Sequence, residues 1–253
     1  WMHANAIIYD GRDHSVIVSS RTQDAVVKVD LDTGELKWIL GVPDGWQEPW
    51  SDRLLAPVQF VGMGRYVDKK DMEWPYHQHA PMITPRGTLL LYDNGNFRSR
   101  PFDVSQRPED SYSRAVEYSI NEITMEVSET WSHGGPGEDA IYSSFISDAD
   151  WLPRTENVLV THGGILTAQD GKRADGVGLD VRRSAQIMEI KRVNTIVPFQ
   201  TQGFVPNETV FEMTIDTDTA TGGWHVYRAE RISSTLHHEG WGNVVTFTAD
   251  ENP

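Results

Sequence analysis

Asn5-Ala6-Ile7-Ile8-Tyr9, Ser15-Val16-Ile17-Val18-Ser19-Ser20, Ala25-Val26-Val27-Lys28-Val29-Asp30 and Leu36-Lys37-Trp38-Ile39-Leu40 follow one another in the first part of the chain. Each run is too short for a stable helix, and each is rich in the β-branched residues that suit a pleated, half-buried surface. Turn-forming stretches divide them, Asp10-Gly11-Arg12-Asp13 after the first run and Asp32-Thr33-Gly34-Glu35 before the last. Four antiparallel strands closing on Trp38 and Gly41 have the size of one β-propeller blade.

The same grouping returns twice. His79–Ile83, Thr88–Asn94, Arg114–Ile120 and Ile123–Trp131 form a second set, with a polar excursion at 96–112. Ser144–Asp150, Asn157–His162, Ser184–Ile190 and Thr209–Ile215 form a third, with a polar excursion at 163–183. Trp224–Ile232 alternates like a strand, and Asn243–Thr248 reads as another. No segment of credible length has a helical period. The expected architecture is therefore all-β: a β-propeller portion over 1–253, with blades near 3–41, 77–134 and 144–215 and a partial blade at 224–253. Residues 42–76 read as an inserted loop whose Trp46, Trp50 and Trp74 either line an aromatic-binding mouth or pin the loop down. Three blades and part of a fourth make an open arc. That geometry, and a start at Trp1 with no initiator Met or leader, is the expectation for a piece of a longer protein whose N-terminal blades are absent.

Composition narrows the partners. The chain has 253 residues and a net charge of -15, and that field repels nucleic acid and anionic membranes. No run approaches the length of a membrane span. With no cysteine, disulfides, thiolate catalysis and Cys-ligated zinc are excluded. An anionic substrate would need His and Arg gathered locally against the general field.

Such a gathering is visible. Asn157-Val158-Leu159-Val160-Thr161-His162-Gly163-Gly164 reads as a buried strand ending in an imidazole, beside backbone that a small anion could approach. Taken alone it is equally a core or turn histidine. His3 precedes the first strand of the first set and His79 starts the first strand of the second. Asn94 and Arg98 follow that set's second strand, and His162 ends the second strand of the third. Charged and imidazole groups thus recur at equivalent positions, although Arg98 also fits an ordinary turn arginine. His77-x-His79 would place two imidazoles on one side of a strand, with His3 or His162 as a third metal ligand. His133 and the pair His237-His238 read as solvated loop residues, and Asn207-Glu208-Thr209 as an accidental glycosylation sequon.

Trp1–Asp10 with Ser19-Ser20-Arg21, Gln78-His79, Asp93-Asn94-Gly95-x-x-Arg98 and Thr161-His162-Gly163-Gly164 together resemble the bacterial PAPS-independent arylsulfate sulfotransferases. The resemblance implies a six-bladed, periplasmic propeller with its active site at the channel. It implies sulfuryl transfer from a phenolic sulfate ester to a phenol by a ping-pong route through a sulfated histidine. His162 would be that nucleophile, and His3, His79 and Arg98 would hold the sulfuryl oxygens. Asn5, Asn94, Thr161 and Gly163 would contact substrate. No metal or other cofactor is implied, the partners are small molecules, and the choice of proton donor between His3 and His79 stays open, as does the oligomeric state, a homo-oligomer included. The chain departs from the family by lacking its N-terminal segments and the disulfide of some members. A non-catalytic, ligand- or protein-binding propeller and a metal-dependent hydrolase using His77 and His79 are the alternative readings.

Overall fold

The computed structural model describes residues 1–137, 139–176, 178, 180–192 and 207–232. Three sheets, antiparallel but for one short parallel pairing in each of the second and third, follow one another along the chain, joined by loops and short 3-10 turns. Sheet 1 is β1 (Ala4–Asp10), β2 (Ser15–Ser20), β3 (Ala25–Asp30) and β4 (Leu36–Gly41), paired in that order. Its strands fall where the four opening runs place them.

Sheet 2 is larger than expected. It comprises β5 (Ala56–Gly62), β6 (Arg65–Asp68), β7 (His79–Ile83), β8 (Leu89–Asp93), β9 (Arg114–Asn121) and β10 (Glu126–Gly134), in the order β6-β5-β10-β9-β8-β7. The last four are the expected set. The segment 42–76 is not simply a loop, because it contains the β5–β6 hairpin. Gly62 and Gly64 turn that hairpin at φ values of 94° and 71°. Ala56 and Pro57 then pair in parallel with Glu126 and Val127, so the insertion extends the sheet's outer edge.

Sheet 3 is β11 (Asp148–Trp151), β12 (Val158–Ala168), β13 (Val181–Lys191) and β14 (Glu208–Ile215), with β15 (Gly222–Gly223) beside β13. Here β12 does not stop at His162. Gly163 and Gly164, read as a turn, form a break in register between His162 and Ile165, after which pairing with β13 resumes as far as Ala168 and Val181. His162 therefore sits inside a strand. Residues 224–232 form no strand; Val226 and Ala229 instead pack on the far face of sheet 3 with Leu152, Leu159, Ala185 and Ile187. The strand expected at 243–248 and the pair His237-His238 lie outside the described residues.

The sheets stack face to face, and β8 shows how. Leu89 and Leu91 point into a core shared with sheet 1 (Ile17, Val26, Trp38, Leu40). Leu90 and Tyr92 point the other way, into a core shared with sheet 3 (Ala149, Trp151, Val158, Val160). A strand buried on both faces reads as a continuous apolar run, which is what Leu89-Leu90-Leu91-Tyr92 is. β1 packs against β7, and β7 and β8 against β11.

Between sheets 1 and 2, Lys28 is 1% exposed, with Nζ 2.8 Å from Asp10, 2.9 Å from Asp13 and 2.6 Å from Glu122. Its ammonium fills the space among three carboxylates close enough to share a metal, and the ion pairs repay its burial. This latch lies at the turns where β1 and β9 end. The histidines gather at the opposite ends of the strands. Among the described residues no helix is long and apolar enough to cross a membrane.

Candidate functional site

Alternation along β12 sends Val158, Val160 and His162 toward sheet 2. There the Tyr92 hydroxyl lies 2.6 Å from His162 Nδ1, with the two rings edge to face. The other ring nitrogen, Nε2, is buried with no hydrogen-bond partner. The imidazole is 1% exposed, and burial, reinforced by the charge of nearby His133, pushes its pKa down to about 3. His162 is therefore a neutral imidazole fixed at one nitrogen and open at the other.

His79 faces the same seam. Its Cα is paired with that of Tyr92. Nδ1 lies 2.7 Å from Asn94 Oδ1 and 3.1 Å from the His77 carbonyl. Both partners are acceptors, because the Asn94 amide nitrogen is spent on the Ser143 and Ile146 carbonyls at 2.8 and 2.9 Å. His79 therefore carries its proton on Nδ1 and leaves Nε2 unprotonated. Burial is the main cause that lowers its pKa to about 4, and the positive charges of Arg21 and His3 add to it. Tyr92 and Asn94, two residues apart on and just after β8, thus orient one histidine each.

The remaining expected residues distribute unevenly. His3 is exposed at the start of β1 and near enough to His79 to act on its charge. Asn5 donates to the Gln78 carbonyl at 2.7 Å, tying sheet 1 to sheet 2, while its Oδ1 is buried without a partner. Arg98 is 7% exposed and committed to carboxylates: its Nη atoms lie 3.0 Å from Glu73 and 3.0 Å from Asp93, and the guanidinium covers the Tyr112 ring at 4.4 Å. By holding Asp93 it braces the turn that carries Asn94.

The residues that flank His162 are closely packed. Gly163 and Gly164 do not leave room for a sulfuryl group. A Cβ on Gly163 would stand 1.6 Å from the Val226 carbonyl oxygen, and one on Gly164 2.5 Å from that of Phe145. Their N–H groups already donate to Ser147 at 3.0 Å and Ser143 at 2.7 Å. Thr161, one residue before His162 on the strand, faces away from Tyr92; it is paired across the ladder with Asp148, and its hydroxyl is buried without a partner.

The metal reading fares no better. His77 has a φ of 52° and turns Nδ1 to Asp24 at 2.9 Å, while His79 turns its own to Asn94. The positive φ breaks the strand alternation that the His-x-His argument assumed. Among the described residues, the group of side chains placed to share a metal is Asp10–Asp13–Glu122, which contains no histidine. His133 is not a solvated loop residue; it is on β10, stacked on Trp131 and half-buried. Tyr92 was not among the residues that stood out in the sequence, and Arg21 stood there only within the Ser19-Ser20-Arg21 motif, with no role. Tyr92 looks like one more apolar strand residue, and only its register opposite His79 marks it.

Both buried imidazoles tie folding to acidity. An unfolded histidine takes up its proton near its ordinary value of 6.5, whereas folded His79 and His162 refuse it until about 4 and about 3. The unfolded state binds more protons in that interval, so stability is full above about pH 6.5 and falls as the pH drops toward 4. The expected slope is about 2 kcal/mol per pH unit for the two groups together. Denaturant melts at pH 7, 6 and 5 measure it, and the His162→Asn variant should show about half of it.

Comparison with known proteins adds an independent line. The family model for arylsulfotransferase (ASST) matches residues 1–228. The arylsulfate sulfotransferase AssT of Escherichia coli O6:H1 is 35% identical over 172 residues, covering 66% of this chain and 28% of that protein. The AssT of Lelliottia amnigena is 31% identical over 182 residues, covering 70% of this chain and 30% of that protein. The chain spans less than a third of the length of these curated relatives.

Proposed function

Since the chain belongs to the arylsulfotransferase family, we propose that the seam between sheets 2 and 3 moves a sulfuryl group from a phenolic sulfate ester to a phenol through a sulfated His162. The observation that carries this reading is the state of that imidazole: neutral, held at Nδ1 by Tyr92, with Nε2 buried and unpartnered. Ser113, Ser143 and Ser147 lie near the Tyr92 hydroxyl, and in this reading one of them accepts its proton. Tyr92 then receives the Nδ1–H of His162, and Nε2 is left as a bare lone pair, the form that attacks sulfur.

In the first half-reaction the Nε2–S bond forms and the S–O(aryl) bond breaks, with the electron pair leaving on the phenolate. In the second the acceptor phenol's oxygen forms the new S–O bond, the N–S bond breaks, and the phenol's proton passes to a base. We assign that base role to His79 Nε2, and the proton it gains goes to the next leaving phenolate. An anionic ester offsets the desolvation that holds His79 neutral in the empty site, because a negative charge favours the imidazolium. His3, on the exposed side, is assigned to contact the sulfuryl oxygens, and Asn94 to orient His79. Charge on those oxygens is what the site must stabilise.

We read the three sheets as consecutive blades of a propeller whose innermost strands are β1, β7 and β11, with further blades supplied by the rest of a longer, periplasmic protein. The contacts of β1 with β7 and of β7 with β11 support that order. The test is a pre-steady-state assay of the full chain with 4-nitrophenyl sulfate and no acceptor. A burst of nitrophenol equal to the enzyme present, with the mass gain of one sulfuryl group on the peptide containing His162, is the expected result. Release of nitrophenol without a sulfated protein would exclude the covalent route.

A further inference from the structure

Of the three buried serines near the Tyr92 hydroxyl, Ser113 is bonded differently from the other two. Ser143 and Ser147 serve the break in β12. Their Oγ atoms accept the Gly164 and Gly163 N–H groups at 2.7 and 3.0 Å, and they lie 2.8 Å from each other. Ser113, immediately before β9, accepts the Ser143 N–H at 2.9 Å. Its own hydroxyl donates to the Asn94 carbonyl at 2.7 Å, with the Ser143 carbonyl further off at 3.3 Å. Both of those oxygens can only accept, so the hydrogen of Ser113 is committed to the main chain and a lone pair is left for Tyr92.

We propose that Ser113 is a positioning residue for His162: by accepting from the Tyr92 hydroxyl and donating to the Asn94 carbonyl, it fixes the imidazole hydrogen on Nδ1 and leaves Nε2 bare. The line runs from His162 Nδ1–H to Tyr92, from Tyr92 to Ser113, and from Ser113 to a main-chain oxygen. Burial keeps His162 neutral, with its pKa lowered to about 3, so the ring carries one hydrogen and one of two tautomers. The opposite order would have Tyr92 donate to Nδ1 at 2.6 Å. It would set the Tyr92 and Ser113 oxygens against each other with no hydrogen between them. It would also bury an N–H at Nε2, which has no partner among the described residues, and an orphaned buried donor is the costlier defect.

Asn94 thereby ends two lines. Its side-chain Oδ1 takes the Nδ1–H of His79 at 2.7 Å, and its main-chain oxygen terminates the line from His162. The value of a bare Nε2 rests on the sulfuryl-transfer reading of the histidine seam, whereas the tautomer itself does not.

Nitrogen NMR of the full chain with isotope-labelled histidine reads the tautomer without turnover, and the signal of His162 is the one lost in His162→Asn. Wild type should carry the hydrogen on Nδ1, and a hydrogen on Nε2 overturns the proposal. Loss of one buried acceptor predicts that Ser113→Ala lowers the ratio of the Nδ1–H to the Nε2–H form by about 10-fold. The kcat for 4-nitrophenyl sulfate should fall with the remaining Nδ1–H fraction, while KM stays nearly unchanged. Ser147→Ala removes a neighbouring hydroxyl that serves Gly163 and should keep the wild-type tautomer; a shift there as large as in Ser113→Ala overturns the proposal. A folded Ser113→Ala with the wild-type tautomer overturns it as well. If Ser113→Ala does not fold, Ser113→Cys decides, because sulfur is a weak acceptor and an unchanged tautomer there is equally fatal. A tautomer that follows Ser113 in a chain that never sulfates His162 supports the positioning role and sinks the transfer reading instead.

Discussion

Replacing His162 by asparagine is expected to lower kcat for 4-nitrophenyl sulfate by at least about a thousandfold and to remove the acceptor-free burst, since the proposed covalent route loses its nucleophile. Asparagine is the informative substitution. It is smaller than histidine and polar, and its amide can keep a hydrogen bond to the Tyr92 hydroxyl, which lies 2.6 Å from His162 Nδ1. Packing of Val158 and Val160 against Leu90 and Ala149 is left in place. The fold should therefore survive while the lone pair is gone. Turnover and thermal unfolding measured on the same sample separate the two effects. Near-normal turnover in a folded variant would remove His162 from the role of nucleophile.

The largest expected effect on stability is at the next residue. Gly163→Ala places a methyl carbon 1.6 Å from the Val226 carbonyl oxygen and 2.8 Å from its carbonyl carbon. Neither chain is free to retreat. The Val226 N–H donates to the Gly163 carbonyl at 3.1 Å, and the Val226 side chain is buried against sheet 3. Seating the methyl means tearing segment 224–232 from the sheet, which exposes Val226 and Ala229 along with it. A loss of at least about 4 kcal/mol is expected, at the extreme of what single substitutions do. Denaturant titration of wild type and variant measures it. A difference below about 1 kcal/mol would mean that residues 224–232 do not pack here as described.

Much of the fold was legible because its signals are local. Alternation and turn residues placed all four strands of sheet 1, and the doubly buried run Leu89–Tyr92 announced a central strand. The misses came where one local signal stood for two structures. Gly163-Gly164 reads equally as a turn or as a bulge, and only the pairing of Ile165 with Ser184 decides between them. The β5–β6 hairpin was hidden among prolines and tryptophans because its outer strand is exposed and short, with no apolar face to advertise it. For the candidate site, the recurrence of His79 and His162 in successive sets agrees with their meeting the neighbouring β8 residues Tyr92 and Asn94. Of their partners, Asn94 stood out in the Asp93-Asn94-Gly95 motif, whereas Tyr92 gains its meaning only from its contact with His162 across sheets. Arg98 illustrates the converse. Its position in the motif suggested an anion holder, while its actual neighbours are the carboxylates of Asp93 and Glu73.

One strand sets the spacing of the chemistry. Tyr92 and Asn94 lie two residues apart, a rise of about 7 Å along an extended chain, and each fixes one imidazole. That interval is anchored by a strand buried on both faces, whereas the loops at 42–55 and 99–113 are separate segments. Loop residues can therefore change without disturbing the interval between the two imidazoles. Variation of the loops and constancy of the imidazole spacing are inherited through different parts of the polypeptide.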